Sequence, residues 1–415
     1  MRVHLTHLGC KLNQAEIERL GRDFEAAGHE VVGSLAEADL HVVNSCTVTQ
    51  EAARGSRKEA GRARRGGRPV RTVLTGCYAS GSPEEAARVA GVDLVVLNSD
   101  KDRLVEIVQE AFPGFPAGPV PCASFPVGPT RALVKVEDGC NMRCSFCIIP
   151  FTRGTQRSRA LPEVIAEVRS LLGRGYQEIV VTGVQISAWR SEGGRLADLV
   201  RAILEETDVP RLRLTSIAPW DLDERLLDLW GDRRLCRHLH LSLQSGATAT
   251  LRRMRRPYTA ESYLALLGRV RAAMPGVAVT TDVIVGFPGE TEEEFTESLT
   301  TVEAAGFAKV HVFPYSVRPG TAAEEMPGQV PPERKKERMA RMLALAERAE
   351  RDFRSAHLGA RGTVLWERPK DGMGQGLTDN YLRVLCPEGA ALRNRFSEVE
   401  MVGIVPEGLV GRLVG

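Results

Sequence analysis

The sequence predicts a multidomain α/β protein: an N-terminal open parallel sheet, a central partial (β/α)6 barrel and a small C-terminal antiparallel β-barrel. At 415 residues the chain is too long for one ordinary core. Strand-like and helix-like runs alternate twice, once on each side of a stretch crowded with Pro and Gly. From residue 358 onward the texture changes to short strand-like runs broken by Gly and Pro.

Within residues 1–112, β-rich runs at 3–8, 40–44, 70–75 and 94–97 alternate with helical patterns at 14–27 and 83–90, the rhythm of a parallel α/β sheet. Residues 113–129, PGFPAGPVPCASFPVGP, hold too many Pro and Gly for a helix or a central strand and read as a linker. Residues 130–330 carry six further strand candidates, at 132–136, 178–182, 211–215, 238–243, 278–285 and 309–313, with helix-length segments between them. Six βα units suggest a partial barrel whose working residues lie at the C-terminal strand ends. Residues 331–357 form a charged helix that starts on Pro and bridges to the all-β segment 358–415.

Composition narrows the class. Lys and Arg (55) nearly balance Asp and Glu (53), and no apolar run approaches the roughly 20 residues that cross a bilayer, so no membrane partner is expected. The opening MRVHLTHLGCKLN has no basic segment followed by an apolar run, which points to a cytoplasmic location. Nine cysteines, unevenly grouped, suit thiolates for metals or catalysis in a reducing compartment better than a disulfide scaffold. A net charge of +2 leaves any nucleic-acid partner to local patches.

The segment EDGCNMRCSFCIIP spaces Cys140, Cys144 and Cys147 as CxxxCxxC directly after the first barrel strand. Three thiolates ligate three irons of a [4Fe-4S] cube and leave the fourth open to an outside ligand. S-adenosylmethionine can chelate that iron through its amino and carboxylate groups, holding its sulfonium where one electron releases a 5′-deoxyadenosyl radical. Structural zinc is the alternative, but it closes its shell with a fourth Cys or His, and none lies nearby in sequence. With Phe146 before the last cysteine, and in this place in a six-unit barrel, the motif resembles the radical-SAM superfamily.

That resemblance implies a cofactor pocket at the strand ends. VTGVQIS (181–187) stands where these enzymes present backbone to the methionine amino group, which makes Gly183 and Val184 candidates, although the usual form is GGE. Ser216 ends the third strand, Gln244 and Ser245 end the fourth, and Asp282 opens DVIVGFPGET in the fifth, where polar groups would surround ribose and adenine. Each of these is equally readable as a strand-end cap or turn.

A second set follows the strands of the first sheet: Cys10 in LGCKLN, Cys46 in VNSCTV and Cys77 in LTGCY. In an open parallel sheet the C-terminal strand ends share one edge, so three cysteines distant in sequence converge there. Gly9 and Gly76 precede two of them and let backbone approach a bulky cofactor. The inference is a second three-thiolate [4Fe-4S] site; taken singly, each is also readable as a small buried hydrophobe. Cys122, Cys236 and Cys386 read as core or linker residues, and no side chain stands out as a general base.

Together with RGTQRSR, HLHLSLQSG, DVIVGFPGETEEEF and HVFPYSVRPGT, these features resemble the methylthiotransferase family across essentially the whole chain. The resemblance implies two [4Fe-4S] clusters and S-adenosylmethionine. The auxiliary cluster carries or donates sulfur, one S-adenosylmethionine supplies the methyl group, and a second supplies the radical that activates a C–H bond. An electron donor and a sulfur donor are implied as partners. The order GTVLWER, DG, GLTDNYLRV resembles the RNA-associated TRAM module, although its basic residues are few. Denser charge lies at 54–71, where Arg54, Arg57, Lys58, Arg62, Arg64 and Arg65 form either a phosphate-contacting patch or a solvated helix face. Arg252, Arg253, Arg255 and Arg256, followed by Tyr258, form a second candidate patch.

LGCKLNQAE, DGCNMRCSFCIIP and HVFPYSVRPGT look most like the branch that methylthiolates carbon 2 of N6-threonylcarbamoyladenosine beside the tRNA anticodon, which makes the tRNA anticodon loop the implied partner. The isopentenyladenosine branch and the ribosomal-protein aspartate branch stay open. So do two readings of another class, a non-catalytic iron-sulfur carrier or redox sensor and a zinc-stabilised RNA-binding protein.

Overall fold

The structure, a computed structural model, describes residues 1–65, 69–114 and 130–414, without the side chain of Arg65. Most of the expected linker, 115–129 with Cys122, lies outside the described residues. The chain divides into two compact units. One gathers the described residues of Met1–Gly128 with Asp138–Arg157 and Ser316–Glu324; the other comprises those of Pro129–Glu137, Ser158–Tyr315 and Glu325–Gly415.

In the first unit five parallel strands, β1 (Arg2–His7), β2 (Glu30–Val31), β3 (Leu40–Ser45), β4 (Arg71–Gly76) and β5 (Leu94–Val95), stack in the order β2-β1-β3-β4-β5. Every residue of the central β3, LHVVNS, is buried, because helices cover both faces of a parallel sheet. Helix α1 (Lys11–Ala26) sends Ile17, Leu20 and Phe24 into the sheet core with Val3, Leu40 and Val42. Its first turns also bury Asn13 and Glu16, polar residues that need partners. Helices α2 (Gln50–Ala60), α3 (Cys77–Gly81), α4 (Leu104–Ala111) and α5 (Ile149–Arg153) belong to the same unit, as does a short helix at Pro83–Ala87. The strand order reverses between β1 and β3, and open α/β sheets bind ligands outside the carboxyl ends of their strands at such a switch point.

In the second unit six parallel strands follow in sequence order: β6 (Arg131–Lys135), β7 (Glu178–Thr182), β8 (Arg211–Leu214), β9 (His238–His240), β10 (Ala278–Val285) and β11 (Lys309–Pro314). They form two three-stranded sheets joined beyond β8 and β9 by the bridge Ile217↔Leu241, a partial barrel. Alternate residues such as Ile179, Val181, Leu212, Val279 and Val283 join the core beneath the outer helices α6 (Leu161–Gly173), α7 (Leu196–Glu206), α8 (Ala260–Ala273) and α9 (Glu292–Ala305). The opposite parity, including Arg131, Glu178, Arg213, His240 and Asp282, faces inward.

Regular β9 stops at His240 instead of reaching Leu243. After the pair His240↔Thr280 the next is Gln244↔Val283, four residues on one strand against three on the other, so an extra residue bulges out. Thr281 fills the gap in the ladder: its Oγ1 accepts from the Leu243 N–H at 2.8 Å and donates to the Leu241 carbonyl at 2.7 Å.

Helix α10 (Pro332–Ser355) leads to five strands, β12 (Arg361–Trp366), β13 (Gly374–Thr378), β14 (Arg383–Cys386), β15 (Phe396–Val405) and β16 (Gly408–Leu413), closed in the order β12-β13-β14-β16-β15. The expected antiparallel barrel carries one parallel pair, β14 with β16. An odd number of strands cannot alternate direction all the way round a closed barrel. Trp366 fills the centre, fully buried, with its indole N–H donating to Ser397 Oγ at 2.7 Å.

This barrel docks on the N-terminal ends of the six parallel strands. Glu178, fully buried, accepts from Arg131 and Arg213 at 2.8 Å each, with Arg211 4.0 Å away. The same arginines reach on to backbone carbonyls, Arg211 to Thr363 and Leu377 and Arg213 to Thr378 and Asp379, at 2.9–3.2 Å. Tyr381 stacks on His238 at 4.6 Å between ring centroids. The C-terminal strand ends are thereby left as the barrel's other pole.

Candidate active site

Cys10, Cys46 and Cys77 follow β1, β3 and β4 at the sheet's C-terminal edge, with Cys10 and Cys46 flanking the switch point. Cys10 is the N-cap of α1 and is exposed, whereas Cys46 and Cys77 are buried. A Cβ at Gly9 (φ +90°) would lie 2.6 Å from Cys46 Sγ, so only glycine lets the Cys10 backbone pass so close to that sulfur. Ser56 clamps the peptide of Cys46, accepting from its N–H and donating to its carbonyl, both at 2.9 Å. Asn13 Nδ2 ties the two strand ends by donating to Leu8 O at 2.7 Å and Ser45 O at 3.0 Å.

Burial pushes the Cys46 thiol up to about 11; the Val48 backbone opposes this, Cys77 and Cys10 add to it, and Arg153 opposes it. The three sulfurs and one guanidinium therefore share a single electrostatic environment. Among the described residues no three His, Cys, Asp or Glu side chains close on one point as ligands of a single ion would. The donor set fits an iron-sulfur cluster: three thiols from three strand ends, no carboxylate among them, and a backbone without Cβ beside them.

Gly76 (φ +97°) shows how tightly this edge is built, since a Cβ there would lie 2.4 Å from Ser45 O. Gly76→Ala is expected to cost about 1–3 kcal/mol of stability through backbone strain alone. It should also reduce iron uptake at this edge, read as thermal unfolding of the chain and iron per chain after anaerobic reconstitution.

The CxxxCxxC loop lies in the same unit. Cys140, Cys144 and Cys147, with Phe146, are partly exposed, the Met142 N–H points at Cys140 Sγ from 3.4 Å, and the Cys147 N–H donates to Cys144 O at 3.1 Å. The segment Ser316–Glu324 stitches both cysteine regions. Arg318 donates to Thr47 O at 3.1 Å, and the Ala323 N–H donates to Ser145 O at 2.8 Å.

Arg153, at the end of α5, was not foreseen from sequence. Its side chain is 1% exposed. Nε donates to Cys77 Sγ at 3.2 Å, Nη1 to Glu16 and Asp138 at 2.8 Å each, and Nη2 to Asn13 at 2.6 Å. Glu16 is also held by Lys101 at 2.7 Å and by Asn44 at 3.0 Å.

In the second unit Gly183, Val184, Ser216, Gln244 and Ser245 follow the C-terminal ends of their strands, whereas Asp282 lies within β10, three residues before its end. Gly183, after β7, is buried against Glu137, whose Oε2 accepts from the Gln185 N–H at 2.9 Å; Val184 beside it is half-buried. Ser216 (φ 53°) and Gln244 (φ 67°) are non-glycine residues in the left-handed region, strain of a kind that collects at functional strand ends. Ser245 is engaged elsewhere, its Oγ 3.0 Å from Ser298 Oγ on α9. Asp282 accepts from His240 at 3.1 Å and from Ser242 at 3.3 Å, while His240 also meets Thr280 at 3.0 Å. Burial would raise the Asp282 carboxyl, but the His240 hydrogen bond and charge, with His311, hold it below its usual range. The alternation HLHLS carried the signal for His240 and Ser242.

The basic patches are dispersed. Arg54, Lys58 and Arg64 are exposed, Arg57 pairs with Glu85 at 3.3 Å, and Arg62 pairs with Glu59 at 3.2 Å. The Arg65 side chain lies outside the described residues. Arg252 and Arg255 are exposed, Arg256 lies over Trp220, and Arg253 bonds to Glu294 on α9. Tyr258 is a strut, its hydroxyl donating to Ser242 O and Leu243 O at 2.9 and 2.8 Å. Cys236 and Cys386 are buried in the second unit.

A partial six-stranded parallel barrel whose first strand runs into CxxxCxxC defines a radical-SAM enzyme, and residues 134–302 match the model of the Radical SAM superfamily. Residues 2–97 match the family described as Uncharacterized protein family UPF0004. The chain is 37% identical to the threonylcarbamoyladenosine tRNA methylthiotransferase MtaB of Bacillus subtilis (strain 168), over 91% of this chain and 88% of that one. It is 35% identical to the tRNA-2-methylthio-N(6)-dimethylallyladenosine synthase of Jannaschia sp. (strain CCS1), over 98% and 92%. The chain belongs to the methylthiotransferase family of radical-SAM enzymes, whose chemistry uses S-adenosylmethionine and [4Fe-4S] clusters. Among solved structures it resembles the radical S-adenosylmethionine methyltransferase TsrM from Kitasatospora setae (TM-score 0.60, 18% identity, 78% of this chain and 77% of that one), a likeness of fold. No helix among the described residues is long and apolar enough to cross a membrane.

Proposed function

We propose that this chain is a cytoplasmic tRNA methylthiotransferase that places a methylthio group on carbon 2 of N6-threonylcarbamoyladenosine beside the anticodon. The observation that carries the reading is the placement of Cys10, Cys46 and Cys77 along the C-terminal edge of one sheet, Cys10 and Cys46 flanking its switch point, in one unit with the CxxxCxxC loop. Radical formation and sulfur delivery need separate thiolate sets, because one open iron cannot serve both.

When bound, the clusters and S-adenosylmethionine would supply the electron relay, the radical, the methyl group and a site for sulfur. Cys140, Cys144 and Cys147 would hold one cluster and Cys10, Cys46 and Cys77 the other. Gly183 and Val184 offer backbone to the methionine amino group, and Ser216 and Gln244 fix the polar rim at their strand ends. His240 and Ser242 hold Asp282 in its anionic form, ready to accept from hydroxyl or N–H donors. Arg54, Lys58, Arg252 and Arg255, all exposed, supply cations for phosphates. An external electron donor and an external sulfur donor complete the reaction.

The threonylcarbamoyl branch is supported by LGCKLNQAE, DGCNMRCSFCIIP and HVFPYSVRPGT and by relatives bearing that name. Relatives named for dimethylallyladenosine, at 34–36% identity, support the alternative. Anaerobically reconstituted enzyme is given dithionite, S-adenosylmethionine and tRNA bearing one nucleoside or the other, with 5′-deoxyadenosine and modified nucleoside scored by mass. Product on threonylcarbamoyladenosine alone is expected. Product only on the isopentenylated tRNA would move the chain to the other branch, and no 5′-deoxyadenosine at full iron loading would overturn the enzyme reading.

A further inference from the structure

The geometry points to Arg153 as a positioning residue that locks the radical-cluster loop onto the auxiliary thiolate set and tunes the auxiliary cluster through Cys77. The inference rests on the assignment of Cys10, Cys46 and Cys77 as auxiliary ligands, and goes beyond it. Arg153 closes the short helix that follows Cys147, so it moves with the CxxxCxxC loop. Its guanidinium nonetheless reaches across to Cys77 at the start of α3 and to Asn13 and Glu16 on α1, while Asp138 binds it from just before Cys140.

A planar fork with five N–H donors can meet four partners in fixed directions, whereas a lysine ammonium presents three donors from one point and cannot span them. The contacts are buried, where charge-assisted hydrogen bonds are strongest and least screened. Two effects follow. The fork fixes the register between the two cysteine regions, and with it the path over which sulfur and substrate radical must meet. The Nε–H···Sγ bond withdraws electron density from the Cys77 thiolate, and hydrogen bonds to cluster sulfurs are a lever on reduction potential.

The test uses full-length chain with Cys140, Cys144 and Cys147 all replaced by Ala, which leaves the auxiliary set alone. Reconstituted protein with Arg153, Arg153→Lys and Arg153→Gln is titrated with redox mediators and read by electron paramagnetic resonance. The midpoint potential is expected to fall in Arg153→Lys and further in Arg153→Gln. In parallel, Arg153→Lys in the intact six-cysteine enzyme should raise the ratio of 5′-deoxyadenosine to methylthiolated product by about tenfold.

Arg153→Lys keeps a cation beside Glu16 and Asp138, so it carries the test if Arg153→Gln fails to fold. A folded Arg153→Lys chain that no longer holds the auxiliary iron also supports the positioning role. Unchanged potential and unchanged product ratio overturn it. If the triple variant with Arg153 intact binds no cluster, the ligand assignment itself has failed, an outcome distinct from a cluster that binds and ignores Arg153.

Discussion

Replacing Cys140 by Ala is expected to reduce 5′-deoxyadenosine formation to background, whereas replacing Cys10 by Ala is expected to preserve it while abolishing methylthiolated product. The asymmetry follows from the division of labour. A CxxxCxxC loop reduced to two thiolates cannot hold a cube with a single open iron, and without it S-adenosylmethionine has neither anchor nor electron. Cys10 stands after a different strand, at the N-terminus of α1, and the Met142–Cys140 and Cys147–Cys144 contacts of the loop do not involve it. Each variant should lose about half of the reconstituted iron. The measurement is anaerobic turnover with iron quantified in the same samples; full methylthiolation by Cys10→Ala would refute the two-set assignment.

The largest stability effect is expected at Glu178. Its carboxylate is fully buried among Arg131, Arg211 and Arg213. Burial alone would raise its pKa, but Arg213 first and then Arg131 hold it far below the usual carboxylate range. Glu178→Ala leaves the fully buried Arg213 without its anion, while Arg131 keeps Glu367, and should cost about 3–5 kcal/mol, the range for breaking one side of a buried pair. The sign with pH is fixed by the lowered folded-state pKa. The carboxylate's contribution is complete above its unfolded value near 4.3 and is lost as pH falls below that toward the folded value. Glu178→Gln should therefore be destabilised at neutral pH and show a flatter decline on acidification. Thermal unfolding followed from pH 7 down to pH 3 checks both.

Much of this fold is legible in the sequence where apolar residues alternate against one core. β7 and β10 begin and end where alternation and flanking residues place them, at Glu178–Thr182 and Ala278–Val285. β2 escapes because two residues carry no period, and the true end of β9 escapes because a bulge is decided by Thr281 on the neighbouring strand. The six cysteines are legible through spacing and through their common position after strands. The role of Arg153 is not: it opens the RGTQRSR segment, but its partners Cys77 and Glu16 lie 76 and 137 positions away, and no local pattern says that it is buried between them. Asp282 is legible as a polar residue of the fifth barrel strand, but the structure sets it inside β10, and its pairing with His240 depends on register between β9 and β10.

The docking of the five-stranded barrel on the arginine layer changes how a truncated protein should be read. Arg211 and Arg213 seize main-chain oxygens of residues 363 and 377–379, and side chains add to the grip where Arg237 pairs with Asp379 at 2.7 Å and Arg131 with Glu367 at 2.8 Å. Deleting residues 358–415 uncovers a carboxylate and three guanidinium groups at the floor of the parallel barrel. An inactive deletion protein would then report a breached floor, and lost affinity for RNA has to be sought instead with substitutions on the module's exposed face.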